Sequence, residues 1–153
     1  MANVLHRAVP DDLDGLVALA QAFCHLRQHP FDLDRVRAGL RPLLADDTLG
    51  QVWFVEDPEH PGERAGYAVL TWGWSVTSGG RECSVNELHL RARGNELATR
   101  VLAALLDVAQ DAGAVKVLIE TEAHDRRVRE FFGAADFDLT DSVFMSLPLS
   151  VEQ

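Results

Sequence analysis

Between residues 87 and 98 the chain reads Glu-Leu-His-Leu-Arg-Ala-Arg-Gly-Asn-Glu-Leu-Ala. The first four residues continue an apolar strand-like pattern, and a helical pattern begins at about Glu96. The loop between them carries Arg91, Arg93 and Gly94. Such a loop suits a pyrophosphate, because helix N-terminal amides point outward, glycine permits close backbone approach and arginine offers bidentate donors. An ordinary strand-to-helix connection with solvated arginines is the alternative, and the spacing alone favours it.

The hydrophobic periodicity on either side of this stretch predicts the order β-α-α-β-β-β-α-β-α-β-β. The predicted strands are Val4–Ala8, Val52–Val55, Ala65–Ser75, Cys83–Leu90, Val115–Thr121, Phe137 onward and Ser142–Leu149. The predicted helices begin at a cap on Asp11 or Asp12, near Leu33, at Glu96 and at a cap on Asp125. Pro42 is expected to kink or break the second helix, and Gly113 to stop the third.

An antiparallel meander followed by a βαβ unit implies one sheet with helices packed on it. The strands at Val85–Leu90 and Val115–Thr121 are expected to be parallel neighbours, joined by a right-handed crossover. The predicted fold class is therefore α+β (mixed α/β), with one mixed, mostly antiparallel sheet of about 6–7 strands flanked by about 4 helices. The length of 153 residues predicts a single domain, residues 1–153.

The composition limits the classes of partner. The formal net charge of −10 argues against nucleic acid and anionic membrane surfaces, which need a surplus of Lys and Arg. No apolar run approaches the length of about 20 residues that spans a bilayer, and the N-terminus does not resemble a secretory signal. The two cysteines, Cys24 and Cys83, lack metal-site spacing, so we expect no metal, reduced thiols and a cytoplasmic protein.

The element order and the segment 87–98 resemble the GNAT superfamily of acetyl-CoA-dependent N-acetyltransferases, over nearly the whole chain. The family's cofactor signature, [Gln/Arg]-x-x-Gly-x-[Gly/Ala], falls on Arg91 to Glu96; Arg91 and Gly94 match it and Glu96 does not. A second family segment, a glutamate-ending strand followed by a capped helix and an aromatic pair, falls on residues 119–132.

The resemblance implies acetyl-CoA as cofactor, bound in a notch where the strands at Glu87–Leu90 and Val115–Thr121 separate. Glu87 would act as the catalytic base, directly or through water, and the amides of Leu88 and Leu90 would align the pantetheine arm. A strand carboxylate that faces solvent or pairs with Arg81 is the alternative for Glu87. The implied cofactor-binding residues are Leu88, His89, Leu90, Arg91, Arg93, Gly94, Asn95, Glu96, Leu97, Ala98 and Asp125.

The function implied is transfer of an acetyl group to a primary amine of a small molecule or a protein. Four positions depart from the family pattern: Glu96 at the helix start, Asp125 in place of an asparagine, Phe132 in place of a tyrosine acid, and Asp136 in place of a glycine. The signature loop is also about two residues shorter than the common version of the family. These departures imply the alternative function, a GNAT-fold binding or regulatory module that no longer transfers acetyl groups. An exposed last strand, or the face shared by Trp72 and Trp74, could mediate a homodimer.

Overall fold

A computed structural model of the chain describes residues 3–91 and 95–150. Its backbone divides into two compact units, Met1–Glu120 and Thr121–Gln153. The single-domain organisation of residues 1–153 stays a prediction. Among the described residues, no helix has the length and apolar character needed to cross a membrane.

The first unit contains five strands and three helices in the described part of the chain. These are β1 (Leu5–Arg7), α1 (Leu13–Leu26), α2 (Leu33–Ala45), β2 (Gly50–Glu56), β3 (Arg64–Ser75), β4 (Gly80–Leu90), α3 (Asn95–Asp111) and β5 (Ala114–Ile119), with a 3₁₀ turn at Pro10–Asp12. The second unit contains α4 (Arg126–Ala134).

The sheet has the strand order β1-β2-β3-β4-β5. The first four strands pair antiparallel, and β4 pairs with β5 in parallel after the α3 crossover. The predicted mixed, mostly antiparallel sheet is confirmed, including the parallel pair. Four helices agree with the predicted number, so the fold class is confirmed as well.

Each face of the sheet has its own apolar core, as the two-residue side-chain period of strands requires. Helices α1 and α2 cover one face, on which Leu16, Phe54 and Tyr67 are buried. Helix α3 covers the other, on which Val101 and Leu70 are buried. Successive side chains of β4 therefore lie in two different environments, one on each face of the sheet.

The two cysteines are free thiols, as predicted. Burial raises the pKa of the Cys83 thiol to about 11. The stability that this neutral, buried thiol contributes is fully present below pH 9 and is lost as the pH rises towards 11. At neutral pH Cys83 is therefore a small apolar core residue.

Aspartates precede helices α1 and α2, and only the one before α1 was predicted as a cap. Asp32 begins α2 by accepting a hydrogen bond from the Arg35 amide at 3.1 Å. Asp12 precedes α1, but its carboxylate accepts the Val9 amide at 2.8 Å rather than an amide of the helix. Of the kink or break predicted at Pro42, the break is wrong, because α2 continues through Pro42 to Ala45, and the kink stays a prediction. A proline this close to a helix end removes only one of the last hydrogen bonds.

The predicted final strands are wrong. Residues 137–149 form no strand in the structure, so the described sheet has five strands instead of about 6–7. Strand-forming residues and alternation are present there, but a strand exists only where a neighbour completes its hydrogen bonds. Within the second unit, no backbone hydrogen bond joins residues 138–150 to another described residue.

Candidate active site

Strands β4 and β5 separate at one end of their ladder. Their last paired residues are Val85 and Ile119, where β5 ends, whereas β4 continues to Leu90. On the side away from β3, residues 86–90 of β4 thus have no strand neighbour among the described residues. We call this gap the notch. Its position agrees with the place implied by the family resemblance.

A β-bulge marks the start of the notch. The register of β3 against β4 moves from Leu70–Val85 to Val69–Glu87, which leaves Asn86 as the extra residue. A bulge bends a strand and increases its local twist. The bulge therefore lies where β4 leaves β5, next to the candidate base Glu87.

The direction of the β4 amides follows from one hydrogen bond. The Arg91 amide donates to the Ala65 carbonyl of β3 at 2.9 Å. Because successive amides of a strand point to opposite edges, those of Leu88 and Leu90 point away from β3. They face the notch and are available to a ligand there. The His89 amide points towards β3 and therefore does not face the notch, unlike the amides of Leu88 and Leu90.

The Glu87 side chain belongs to a polar and aromatic cluster on the α1/α2 face. The Tyr67 hydroxyl donates to Glu87 Oε2 at 3.3 Å, and His89 Nε2 lies 3.9 Å from Glu87 Oε1. The His89 ring contacts both Tyr67 and Phe23 of α1, with centroid distances of 5.1 and 5.3 Å. The Tyr67 and His89 side chains thus lie beside a carboxylate whose side chain is 44% exposed, and Phe23 contacts both of their rings.

The protonation state of Tyr67 is set by its surroundings. Burial and the neighbouring Glu87 carboxylate raise its pKa well above the usual range. The phenol therefore remains protonated at neutral pH and acts only as a donor to Glu87. The His89 Nδ1 atom is buried and has no hydrogen-bond partner among the described residues.

The signature loop is described only in part. Arg91 is exposed at the end of β4, whereas the predicted residues Arg93 and Gly94 lie outside the described residues. Asn95 and Glu96 are exposed in the first turn of α3. The next two residues turn inward: Leu97 is buried in the α3 core and Ala98 is half-buried.

A cavity of about 220 Å³ lies beside the first turn of α3. Glu96 lines it together with Asp57, Glu59, His60 and Arg100. Three carboxylates near a helix N-terminus interact favourably with the helix dipole and oppose an incoming anion. An anionic ligand at this end of α3 consequently needs the basic residues of the signature loop to offset that charge.

Asp125 lies in the second unit and begins α4. Its carboxylate accepts the Val128 amide at 3.2 Å, so the predicted helix cap is confirmed. Phe132, which stands where the family has a tyrosine, is buried against Phe131 and Phe137 at centroid distances of 5.2 and 5.4 Å. Asp136, which stands where a glycine is expected, has a φ of +67°, the left-handed conformation that glycine adopts most easily.

Trp72 and Trp74 do not belong to the cluster around Glu87. The Trp72 indole donates a hydrogen bond to the Asp47 carbonyl at 2.8 Å. In the β3–β4 ladder Trp72 lies opposite Cys83, three residues along β3 from Val69, which lies opposite Glu87. Three strand residues correspond to about 10 Å. Trp74 is exposed on the same strand. The hydrogen bond gives Trp72 a structural role in anchoring the loop before β2.

Sequence reasoning missed Tyr67 as a neighbour of Glu87 and Phe23 as a neighbour of His89. Alternation along β3 and β4 could have placed Tyr67, Glu87 and His89 on one face. The register that places Tyr67 opposite His89 depends on the Asn86 bulge, and no pattern in the sequence predicts that bulge. The contact with α1 depends on tertiary packing.

A base candidate with a protonated donor beside it, next to free strand amides, is an arrangement suited to acyl transfer to an amine. The sequence profile of the family described as "Acetyltransferase (GNAT) family" matches residues 17–137. The chain belongs to this family, and by class it is an N-acetyltransferase. No curated protein matches the chain.

Solved structures with similar folds include three that cover nearly the whole chain. Integron cassette protein HFX_CASS3, from the mobile metagenome of Cole Harbour Salt Marsh, has a TM-score of 0.81 and 25% identity, covering 97% of this chain and 91% of its own. A candidate acetyltransferase of Arthrobacter sp. FB24 has a TM-score of 0.77 and 24% identity, and the match covers 99% of this chain and 97% of its own. A candidate acetyltransferase of Clostridium acetobutylicum, solved with acetyl-CoA, has a TM-score of 0.73 and 19% identity, and the match covers 94% of this chain and 94% of its own.

Proposed function

We propose that the protein transfers the acetyl group of acetyl-CoA to a primary amine of a small molecule or a protein, in the cytoplasm. The observation that carries this proposal is the notch, where the amides of Leu88 and Leu90 point to an edge without a strand neighbour, beside Glu87. An extended ligand arm can add to such an edge as a further strand would. Family membership and the relative solved with acetyl-CoA support the choice of ligand.

Bound acetyl-CoA supplies an activated acyl group as a thioester. In the proposed reaction Glu87 takes the proton of the acceptor amine, since a neutral amine is needed for attack. The Tyr67 hydroxyl holds the Glu87 carboxylate, and strand amides facing the notch stabilise developing negative charge. A thiolate whose pKa is about 8.5 leaves with little protonation, so Phe132 in place of a tyrosine acid is compatible with turnover.

The remaining predicted contacts are assigned as part of the same proposal. Arg91, Arg93 and Gly94 would receive the pyrophosphate, together with the first amides of α3. Glu96 is exposed there, so solvent screens its charge. Asp125 stays a predicted cofactor contact.

Acetyl-CoA is expected to stabilise the protein against heating. At 100 times its Kd a ligand contributes about 2.7 kcal/mol, which corresponds to a rise of roughly 5–10 °C in Tm for a chain of this size. An Arg93→Ala variant should show a smaller rise, because one phosphate contact is lost. Arg35→Ala, at an exposed arginine on α2, is the matched control and should respond as the unmodified chain does.

An unchanged Tm at millimolar acetyl-CoA would contradict the proposal and favour the alternative of a binding module without transferase activity. Stabilisation without any amine-dependent release of coenzyme A, across primary amines and amine-bearing peptides, would support cofactor binding but contradict transfer.

A Tyr67→Phe variant should lower kcat by about tenfold while the KM for acetyl-CoA stays the same. The substitution keeps the ring contacts with Phe23 and His89 and removes only the hydrogen bond to Glu87, worth about 0.5–1.5 kcal/mol. The check is steady-state kinetics in a double-mutant cycle. In a Glu87→Gln background Tyr67→Phe should have little further effect, and an undiminished tenfold loss would show that Tyr67 acts independently of Glu87.

A further inference from the structure

A second cavity, of about 330 Å³, lies apart from the notch, and every residue that lines it belongs to the first unit. We call it the tryptophan cavity. Its lining consists of two indole rings, two small apolar residues of α3 and four polar side chains: Trp53, Trp72, Val108, Ala112, Asp47, Gln51, Arg81 and Asp111. A cavity of this size, with aromatic walls and a few polar groups, is typical of a site for a small molecule.

The tryptophan cavity is remote from Glu87. Trp53 and Trp72 pack on the α3 face of the sheet, whereas the Glu87 side chain lies with Tyr67 on the α1/α2 face. Along β4, Arg81 precedes Glu87 by six residues, which corresponds to about 20 Å. The cavity also lies beside the last turns of α3, whereas the signature loop precedes the first turn. A ligand of this cavity is therefore distinct from acetyl-CoA and from its acceptor.

Hydrogen bonds between lining residues hold one wall of the tryptophan cavity in place. The Trp53 indole donates to Gln51 Oε1 at 3.1 Å, and Gln51 Nε2 donates to Asp47 Oδ2 at 3.0 Å. Arg7 pairs with the same carboxylate, and its hydrogen bond holds the pKa of Asp47 below the usual range. The charge of Asp47 is therefore balanced within the protein, and this wall is formed before a ligand binds.

Two opposite charges line the cavity without being paired. The Arg81 guanidinium lies 5.6 Å from the Trp72 ring centroid and donates to the Ala112 carbonyl at 3.0 Å, but it forms no ion pair with a described residue. A guanidinium keeps donors free after one such bond, because it has five N–H groups. The Asp111 carboxylate, at the end of α3, has neither an ion pair nor a hydrogen bond within the described part of the chain. The partial negative charge of this helix end also favours a cation beside Asp111.

We propose that the tryptophan cavity binds a free α-amino acid with an apolar side chain. The carboxylate of the ligand accepts from Arg81, its ammonium group donates to Asp111, and its side chain lies against the indole rings. One zwitterion thus satisfies both unpaired charges, whereas an amine alone leaves Arg81 unpaired and an acid alone leaves Asp111 unpaired. The proposal is independent of the acetyltransferase activity, since it uses no residue of the notch.

Tryptophan fluorescence tests the proposal, because two of the three tryptophans line the cavity. L-Phenylalanine titrated into the full chain should change the emission with a Kd of roughly 0.1–1 mM, as expected for about 12 non-hydrogen atoms. Phenethylamine lacks the carboxylate and 3-phenylpropanoate lacks the ammonium group, so each should bind more weakly by about tenfold or more. No response to phenylalanine, or equal affinity for either analogue, would overturn the proposal.

An Asp111→Asn variant tests the ammonium contact. It should weaken phenylalanine binding by about tenfold and leave 3-phenylpropanoate binding unchanged, because only the charge that pairs with the ammonium group is lost. The matched control is Asp107→Asn, which makes the same change one turn earlier on α3 and outside the cavity lining. It should bind phenylalanine as the unmodified chain does. An unchanged affinity in Asp111→Asn, or an equal loss in the control, would reject the proposal.

A Glu87→Gln variant distinguishes this site from the proposed acceptor site. Phenylalanine is itself a primary amine, so binding at the notch would depend on Glu87, whereas binding in the tryptophan cavity should not change. Conversely, Asp111→Asn should keep the full thermal shift with acetyl-CoA. Loss of phenylalanine binding in Glu87→Gln would assign the ligand to the acceptor site and contradict a second site.

Discussion

Replacing Glu87 by Gln is expected to lower kcat for amine acetylation by about 10²–10⁴-fold, the range typical for loss of a general base. The amide is nearly isosteric and still accepts the hydrogen bond of the Tyr67 hydroxyl, but it cannot take the proton of the acceptor. Steady-state kinetics with acetyl-CoA and a primary amine measures the loss. The Tm and the thermal shift with acetyl-CoA should not change, because the cofactor contacts proposed here are backbone amides and arginines.

The matched control is Glu82→Gln, on the same strand. Glu82 accepts a hydrogen bond from the Ser78 hydroxyl at 2.9 Å, near the β3–β4 turn and outside the notch. Its substitution should leave kcat within about twofold, since one surface interaction is typically worth little. Equal losses in both variants, or full activity in Glu87→Gln, would remove Glu87 from the mechanism.

Replacing Gly66 by Ala is expected to destabilise the protein by about 3 kcal/mol, at the upper end of the usual cost of overpacking. A Cβ at Gly66 would lie 1.8 Å from the His89 carbonyl oxygen and 3.1 Å from the Leu90 Cα. Both atoms are backbone, so relief requires β3 and β4 to move apart. The corresponding fall in Tm is about 6–12 °C, measured by thermal denaturation followed by circular dichroism.

Gly73→Ala, in the same strand, is the control. The nearest atom to a Cβ there is the Glu82 carbonyl oxygen at 4.0 Å, which is ordinary contact. Its stability should stay the same or rise by a few tenths of a kcal/mol, because alanine reduces the entropy of the unfolded chain. A tolerated Gly66→Ala would show that the close approach of β3 to β4 is not needed for the fold.

The fold could be predicted from the sequence to a large extent because its signals are local. The helical periodicity of residues 96–112, the Gly113 stop at φ +83° and the Asp125 cap are each set within a few residues. The final strands were predicted wrongly, because alternating apolar residues at 142–149 create a tendency for a strand, whereas a strand also needs a neighbour.

The candidate site was predicted in outline and completed by tertiary structure. Glu87 and the edge amides of Leu88 and Leu90 followed from the likeness of residues 87–98 to one family. The hydrogen bond from Tyr67 and the ring contacts of His89 did not, because Tyr67 is 20 residues away in the chain from Glu87 and the bulge at Asn86 sets which residues meet.

The sequence by itself determined the segments that form the four described helices and the first five strands, their order, and the acidic charge that limits the partners. These properties depend on side-chain periodicity and composition, which are encoded by neighbouring residues. Only the tertiary structure decided where β4 leaves β5 and that Tyr67, the one tyrosine of the chain, holds Glu87. Those properties depend on register and on contacts between distant residues, whose energies no local pattern contains.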